Sequence, residues 1–251
     1  METTQKSTHL NPDTTLEQLI TVDENIAELL ASIGLNGSQH QDKTLRQICT
    51  EKQWNEEEVV SWIRKNQYLE SVQSENRRDA DEELLKNKNL AELSDFLEDE
   101  YHVIIKELLS DIDRDFPRVC KIHGHQYPWL KQVHWQINSF FDDVMLYLQY
   151  EREKLFSYVR QLHQKESQVM DGLAQGLKHS LDVLSHDHKR LSDSMRSVEK
   201  SSKHFYVPEG SCATLRIVFQ NIRELFDVLQ RHFETEKKYL IPSLKQKLDS
   251  V

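Results

Sequence analysis

Apolar residues recur along the second half of the chain in steps of three and four, the period of a helix face turned toward a core. Leu215, Val218, Ile222, Leu225, Leu229, His232, Glu236 and Tyr239 form one such stripe. Ile137, Phe141, Val144, Leu148, Glu151, Leu155, Tyr158 and Leu162 form a second, and Leu177, Leu181, Leu184, His188, Leu191 and Met195 a third. His102, Ile105, Leu109 and Ile112 make a shorter fourth. The pattern predicts long helices over about 90–115, 129–164, 168–200 and 209–248, packed as an up-down four-helix bundle spanning 89–251.

Each stripe carries a polar residue where the period demands an apolar one. An uncompensated carboxylate on such a face costs many kcal/mol, so it persists by losing its charge, pairing, or binding a metal. One histidine on an apolar face reads most simply as a hydrogen-bonded core residue. Four helices that each place His or Glu inward describe a bundle with a metal site in its core. Nitrogen and carboxylate ligands together suit iron, manganese or zinc, and two carboxylates able to bridge favour a pair of ions.

Shorter patterns precede the bundle. Leu16–Val22, Ile26–Ile33 stopped by Gly34, Leu45–Glu51 and Asn55–Ile63 predict a small helical domain over 13–70. Asn55 followed by Glu56, Glu57 and Glu58 is a capped helix start. Leu16, Leu19, Ile26, Leu29, Leu30, Ile48, Val59 and Trp62 are its candidate core. Residues 1–12 read as a polar, disordered tail, and 71–88 as a charged linker or solvated helical extension. The whole is expected to be all-α.

Composition narrows the function classes. With 42 acidic against 32 basic residues, the net charge of -10 argues against non-specific affinity for nucleic acid or an anionic membrane. No stretch approaches the roughly 20 apolar residues of a membrane span, and the first residues lack an apolar signal core, so a cytoplasmic location is expected. Cys49, Cys120 and Cys212 are scattered and odd in number, which fits a reducing compartment. No Gly-rich phosphate loop is present.

Helical rise sorts the histidines by depth. Glu151 lies roughly 33 Å from a turn at Trp129, and His102 roughly 21 Å from a helix end at Phe116. The two depths agree once the first helix gains a few residues past its apparent end at Pro117. His123 and His125 belong to the turn and read as a surface loop. His186 faces away from His188, and His134, His163, His179 and His204 fall outside the stripes.

The best-matched segments are Pro208-Glu209-Gly210-Ser211-Cys212-Ala213-Thr214, His232-Phe233-Glu234-Thr235-Glu236 and Leu240-Ile241-Pro242, with Asp187-His188, Tyr101-His102 and Glu151 followed by Leu155-Phe156. They resemble the hemerythrin-like di-iron proteins that repair iron-sulfur clusters after oxidative and nitrosative damage. The resemblance covers most of the chain and implies two non-haem iron ions bound by His102, His188 and His232 and bridged by Glu151 and Glu236. It also implies damaged iron-sulfur proteins as clients, nitric oxide or oxygen as small ligands, and a homodimer as a compatible state. No residue is singled out as catalytic. Asp143 and Asp187 are candidates for relaying protons or guiding iron.

Two departures stand out. The family's second helix offers His-x-x-x-Glu, whereas here Tyr147 stands four before Glu151. A phenolate can ligate ferric iron, so Tyr147 either replaces the histidine or leaves that ion with an open position. The family's N-terminal domain carries adjacent cysteines after a Gly-containing turn; this chain reads Gly34-Leu35-Asn36-Gly37-Ser38-Gln39-His40, although Thr44-Leu45-Arg46-Gln47-Ile48-Cys49 keeps its Thr-Leu-x-x-x-Cys. Cys49 is expected to pack as a small apolar residue. The leading expectation is cluster repair by iron delivery and/or nitric oxide handling. The alternative is an oxygen, nitric oxide or iron sensor without turnover, and a third reading is a metal-free scaffold.

Overall fold

The computed structural model describes residues 10–35, 40–79, 82–164 and 171–249. The protein is all-α, as expected: among the described residues there is no β-strand, only a single antiparallel bridge between Thr15 and Thr44. Also among them, no helix is long and apolar enough to cross a membrane. The chain divides into two compact units, Met1–Ser74 with Val207–Gln220, and Glu75–Tyr206 with Asn221–Val251.

The first unit holds α1 (Leu16–Val22), α2 (Glu24–Ser32), α3 (Leu45–Lys52) and most of α4 (Glu56–Asp79). Thr15 with Gln18 and Thr44 with Gln47 form capping boxes that satisfy the first orphan amides of α1 and α3. Asn55 accepts from the Glu58 amide, the cap its sequence announces. All eight residues expected in the core are buried, together with Leu10, Cys49, Ala213 and Ile217. Trp54 donates to the Ser211 carbonyl at 3.3 Å, and Thr214 to Glu58 at 2.7 Å. Residues 1–9 of the expected tail and 36–39 of the Gly34–His40 stretch lie outside the described residues. Gly34 is needed where it stands: its φ is +84°, and a Cβ there would meet an Arg216 guanidinium nitrogen at 2.7 Å.

The second unit is built on four helical runs, after a short helix α5 (Glu82–Asn87). The first comprises α6 (Leu90–Phe96), a π-helical turn Leu97–His102 and α7 (Val103–His123). Next come α8 (Trp129–Tyr150), a π turn Glu151–Leu155 and α9 (Phe156–Gln164). A third run is α10 (Asp171–Ser201), and the last comprises α11 (Ala213–Thr235), a π turn Glu236–Leu240 and α12 (Ile241–Asp249). Helix α8 packs against α7 and α10, and α6 against α9 and the last π turn.

Two boundaries differ from the sequence reading. Helix α7 does not stop before Pro117 but runs on to His123. The proline removes one backbone bond, yet Phe116 and Val119 beside it are fully buried, and their packing carries the helix through. From His102 to the end of α7 is then about 31 Å, which brings that residue level with Glu151. Helix α11 begins at Ala213 rather than near Pro208, because Pro208–Ser211 closes a turn of its own in which Ser211 donates to the Pro208 carbonyl at 3.3 Å.

Candidate metal centre

Three π-helical turns meet the site, and each has a candidate ligand at its end: His102 closes the first, Glu151 opens the second, and Glu236 opens the third. A π turn carries one residue more than an α turn, so it shifts the phase of everything beyond it by about 100° and leaves the local backbone less regular. Such turns gather where a helix must aim side chains that its α period would send elsewhere. Tyr147 in α8 and His232 in α11 sit one turn before Glu151 and Glu236. His188 comes from the uninterrupted α10.

All six candidates from the sequence converge, and all are buried. His102 Nε2 lies 3.1 Å from Glu151 Oε2, and His232 Nε2 lies 3.7 Å from the same oxygen. His188 Nε2 is 2.8 Å from Glu236 Oε2. The Tyr147 hydroxyl donates to Glu236 Oε2 at 2.8 Å and stands 3.0 Å from His232 Nδ1 and 3.3 Å from His188 Nε2. Aromatic rings wall the cluster: Phe156 stacks on His102 at 5.7 Å between centroids, and Phe233 on His188 at 4.3 Å.

The cluster does not satisfy itself. His102 Nδ1, Glu151 Oε1, His188 Nδ1, His232 Nε2 and Glu236 Oε1 are buried without a hydrogen-bond partner. Each such atom costs about 1–3 kcal/mol when nothing compensates it. His102, Glu151 and His232 each offer a ligand atom, all within 4.8 Å of one another, so they can hold a metal ion.

Electrostatics agrees. Burial, then the neighbouring His232, drops the His102 imidazole to about 3. Burial, opposed by Glu236 and helped by His188, drops His232 to about 4. Burial, then the charge of Glu236, pushes the Glu151 carboxyl well above its ordinary range. Burial works to raise Glu236 too, but the charge of His232 and the hydrogen bond from His188 outweigh it and hold that carboxyl low. Tyr147 is raised by burial and by both carboxylates. Without a cation the pocket thus favours one carboxylate charge and neutral His102 and His232, the protonation state of histidine that a metal takes.

A pH dependence follows for the metal-free protein. Between pH 6.5 and about 4.5 the unfolded chain binds two protons at His102 and His232 that the fold refuses, while folded Glu151 keeps one that the unfolded chain lacks. The unfolded state therefore binds more protons across this window, and stability is expected to fall with falling pH. Below 4.5 the Glu151 offset disappears, the lowered Glu236 adds to the loss, and the slope steepens. Urea-unfolding midpoints of metal-free protein across this range check the sign; a midpoint that rises toward pH 4.5 contradicts it.

The remaining sequence candidates are elsewhere. His123 ends α7, and His186 is exposed. Asp143 and Asp187, the candidates for relaying protons or guiding iron, are both ion-paired to Arg190, Asp187 at 3.1 Å. Tyr101, quoted in a matched segment but given no role by the sequence, meets the His232 ring edge-on at 5.3 Å, and its hydroxyl lies 3.1 Å from Thr235 Oγ1. Sequence reasoning missed the wall residue Phe156, which the π turn rotates inward.

The fold and the site define a class: an all-α protein with a buried His/Glu/Tyr cluster fit to hold metal. No family model matches the chain. It is a distant relative of curated iron-sulfur cluster repair proteins. It is 20% identical to the iron-sulfur cluster repair protein YtfE of Escherichia coli O157:H7 over 223 residues, 88% of this chain and 96% of that protein. It is 22% identical to ScdA, of the same description, from Staphylococcus epidermidis over 152 residues, 61% of this chain, and so spans 65% of that relative's length. With DnrN of Neisseria gonorrhoeae, another iron-sulfur cluster repair protein, it shares 19% identity over 140 residues.

Proposed function

We propose that this chain is a hemerythrin-like four-helix protein that binds two iron ions and serves the repair of iron-sulfur clusters damaged by oxidative or nitrosative stress, by delivering iron and/or handling nitric oxide. The observation that carries the reading is that five buried His and Glu side chains, drawn from four helical runs, meet in one cluster in which Glu151 Oε1, His232 Nε2 and Glu236 Oε1 have no hydrogen-bond partner. The names of the relatives supply the reaction context, with damaged iron-sulfur proteins as clients.

His102, Glu151, His188, His232 and Glu236 would hold the ions, with Glu151 and Glu236 as the carboxylates able to bridge and Tyr147 beside them. Iron bound there supplies redox chemistry and affinity for diatomic ligands. The chain's own residues do the rest. The imidazoles bind as neutral donors, Phe156 and Phe233 exclude water, and the second nitrogen of His232 faces the Tyr147 hydroxyl, which fixes the ring.

Elemental analysis of the purified protein, followed by transfer of its iron to an apo or nitric-oxide-damaged cluster protein, tests this. Two irons per chain and restoration of the client's cluster absorption are expected. Absence of iron would overturn the proposal. Two irons with neither transfer nor nitric oxide consumption would favour a binding or sensing role.

A further inference from the structure

The donor atoms of the cluster fall into two unequal groups. Tyr147 Oη, His188 Nε2 and Glu236 Oε2 form a tight triangle with edges of 2.8, 2.8 and 3.3 Å. Three ligands on one face of an octahedron, at about 2.0–2.1 Å from an ion, lie about 2.9 Å apart. The second group is looser: His102 and His232 approach Glu151 Oε2 at 3.1 and 3.7 Å, within an envelope of 4.8 Å, and His232 borders both groups, its Nδ1 lying 3.0 Å from Tyr147 Oη and 3.6 Å from Glu236 Oε2. The chemistry differs as well as the spacing. The loose group offers two imidazoles and a carboxylate; the tight group offers one imidazole, a carboxylate and a phenol.

We propose that the two metal positions are chemically distinct: Tyr147, His188 and Glu236 form a ferric-selective position that retains its ion, and His102, Glu151 and His232 form the position whose ion exchanges. This rests on the metal-binding reading above. A phenolate is a hard, anionic oxygen donor, and it gives its position one negative ligand more than the other even when Glu151 and Glu236 bridge both ions, which favours the trivalent state there. Two imidazoles and one carboxylate suit a divalent ion better.

The step balances simply. The Tyr147 O–H bond is replaced by an oxygen–iron(III) bond, and the proton leaves to solvent. On reduction of the ion by an external one-electron donor such as dithionite, Tyr147 would release it, take a proton from solvent and restore its hydrogen bond to Glu236. Tyr147 also links the positions. His232 Nδ1 faces its oxygen at 3.0 Å, while Nε2, which has no hydrogen-bond partner, faces Glu151. With its proton on Nδ1, His232 donates to the phenol oxygen and presents its Nε2 lone pair to the exchanging position, so the retained ion keeps that ring oriented.

The test uses the full chain loaded aerobically with iron. A visible phenolate-to-iron(III) charge-transfer band with tyrosinate vibrations in resonance Raman is expected. An excess of a ferrous chelator should remove one iron at least ten times faster than the other, with the band staying on the slow fraction. Prior reduction with dithionite should release both. In Tyr147→Phe the band should vanish and the two irons should leave at similar rates. Two irons with no tyrosinate signature in the wild type would overturn the inference and spare the metal reading. So would a band whose intensity falls in step with the fast-leaving iron. Protein that takes up no iron would overturn both. The wild-type Raman and chelation measurements stand without the variant, should Tyr147→Phe fold poorly.

Discussion

Glu151→Gln is expected to stabilise the metal-free protein and, in the same molecule, to cripple metal binding at the position Glu151 forms with His102 and His232. Glu151 is fully buried, one of its oxygens has no partner, and burial together with the Glu236 charge opposes its ionisation. In the folded metal-free state the group therefore carries a proton at neutral pH that it lacks when unfolded, and the fold is penalised for holding it. Glutamine keeps the shape and a hydrogen-bonding group toward His102, and it is neutral at every pH. Relief of such a penalty amounts to about 1–3 kcal/mol at pH 7. The sign follows from linkage: the gain is largest above the raised pKa of the folded group. It shrinks as pH falls toward about 4.5, where the unfolded glutamate takes up its own proton. Metal binding responds in the opposite direction, because an amide is a poor ligand for an ion that needs a negative oxygen. Iron affinity at that position should fall by at least about 100-fold, more than loss of a merely supporting contact costs. Urea unfolding of both metal-free proteins at pH 7 and pH 4.5, with iron titration of each, decides the matter. A Gln variant that is less stable and binds iron normally would make Glu151 a structural residue.

Much of this centre was legible in the chain because a buried polar residue interrupts an apolar period wherever it occurs. His188 shows this most simply. It lies in an unbroken α-helix, so Leu184, His188 and Leu191 keep one phase and one face. Where a π turn intervenes, the period fails. The second stripe read through Tyr158, yet beyond the turn at Glu151–Leu155 it is Phe156 and Val159 that are buried, while Tyr158 is only partly covered. The inserted residue rotates the rest of the helix, and nothing in a 3.6-residue count announces it. Upstream, Phe140 rather than Phe141 turns inward, because the apolar sector is wide enough to admit either. Tyr147 was noticed only as a departure from a resemblance, since an aromatic residue on a helix reads as ordinary core. Its role depends on what its hydroxyl meets, and that is set by two other helical runs.

Long-range placement was less accessible. Val207–Gln220 groups with the N-terminal residues, and Ala213 and Ile217 complete that unit's core. A period identifies which face is buried, not which segment buries it. Pro117 misled for a related reason. Proline is a local stop signal, and the burial of Phe116 and Val119 that overrides it is a tertiary fact. Helical rise gave the useful check, since a depth mismatch of about 12 Å between His102 and Glu151 required the first helix to continue.

His232→Asn is expected to fold and yet lose the stabilisation that metal confers at the position shared by His102, Glu151 and His232. His232 is fully buried at the middle of the cluster, with its ring 5.2 Å from His102 and 5.3 Å from Tyr101. Nδ1 faces the Tyr147 hydroxyl at 3.0 Å, and Nε2 faces Glu151. The asparagine amide nitrogen reproduces the first contact, and nothing in its side chain reaches where Nε2 stood. The metal-free variant should lose about 1–3 kcal/mol for the missing ring atoms, since a partly collapsed cavity replaces them. The larger effect comes with metal present. At 1,000 times the dissociation constant a ligand adds about 4 kcal/mol to the folded state, and a chain that cannot bind gains none of it. Thermal unfolding with and without iron should therefore show a large metal-dependent rise in midpoint for the wild type and a clearly smaller one for His232→Asn, whose remaining rise comes from the position of Tyr147, His188 and Glu236. His232→Ala, which removes both nitrogens, should match it with metal and be less stable without. Were His232→Asn to keep the full metal-dependent shift, its Nε2 would not be a ligand, and the two-imidazole position built on His102 and His232 would have to be abandoned.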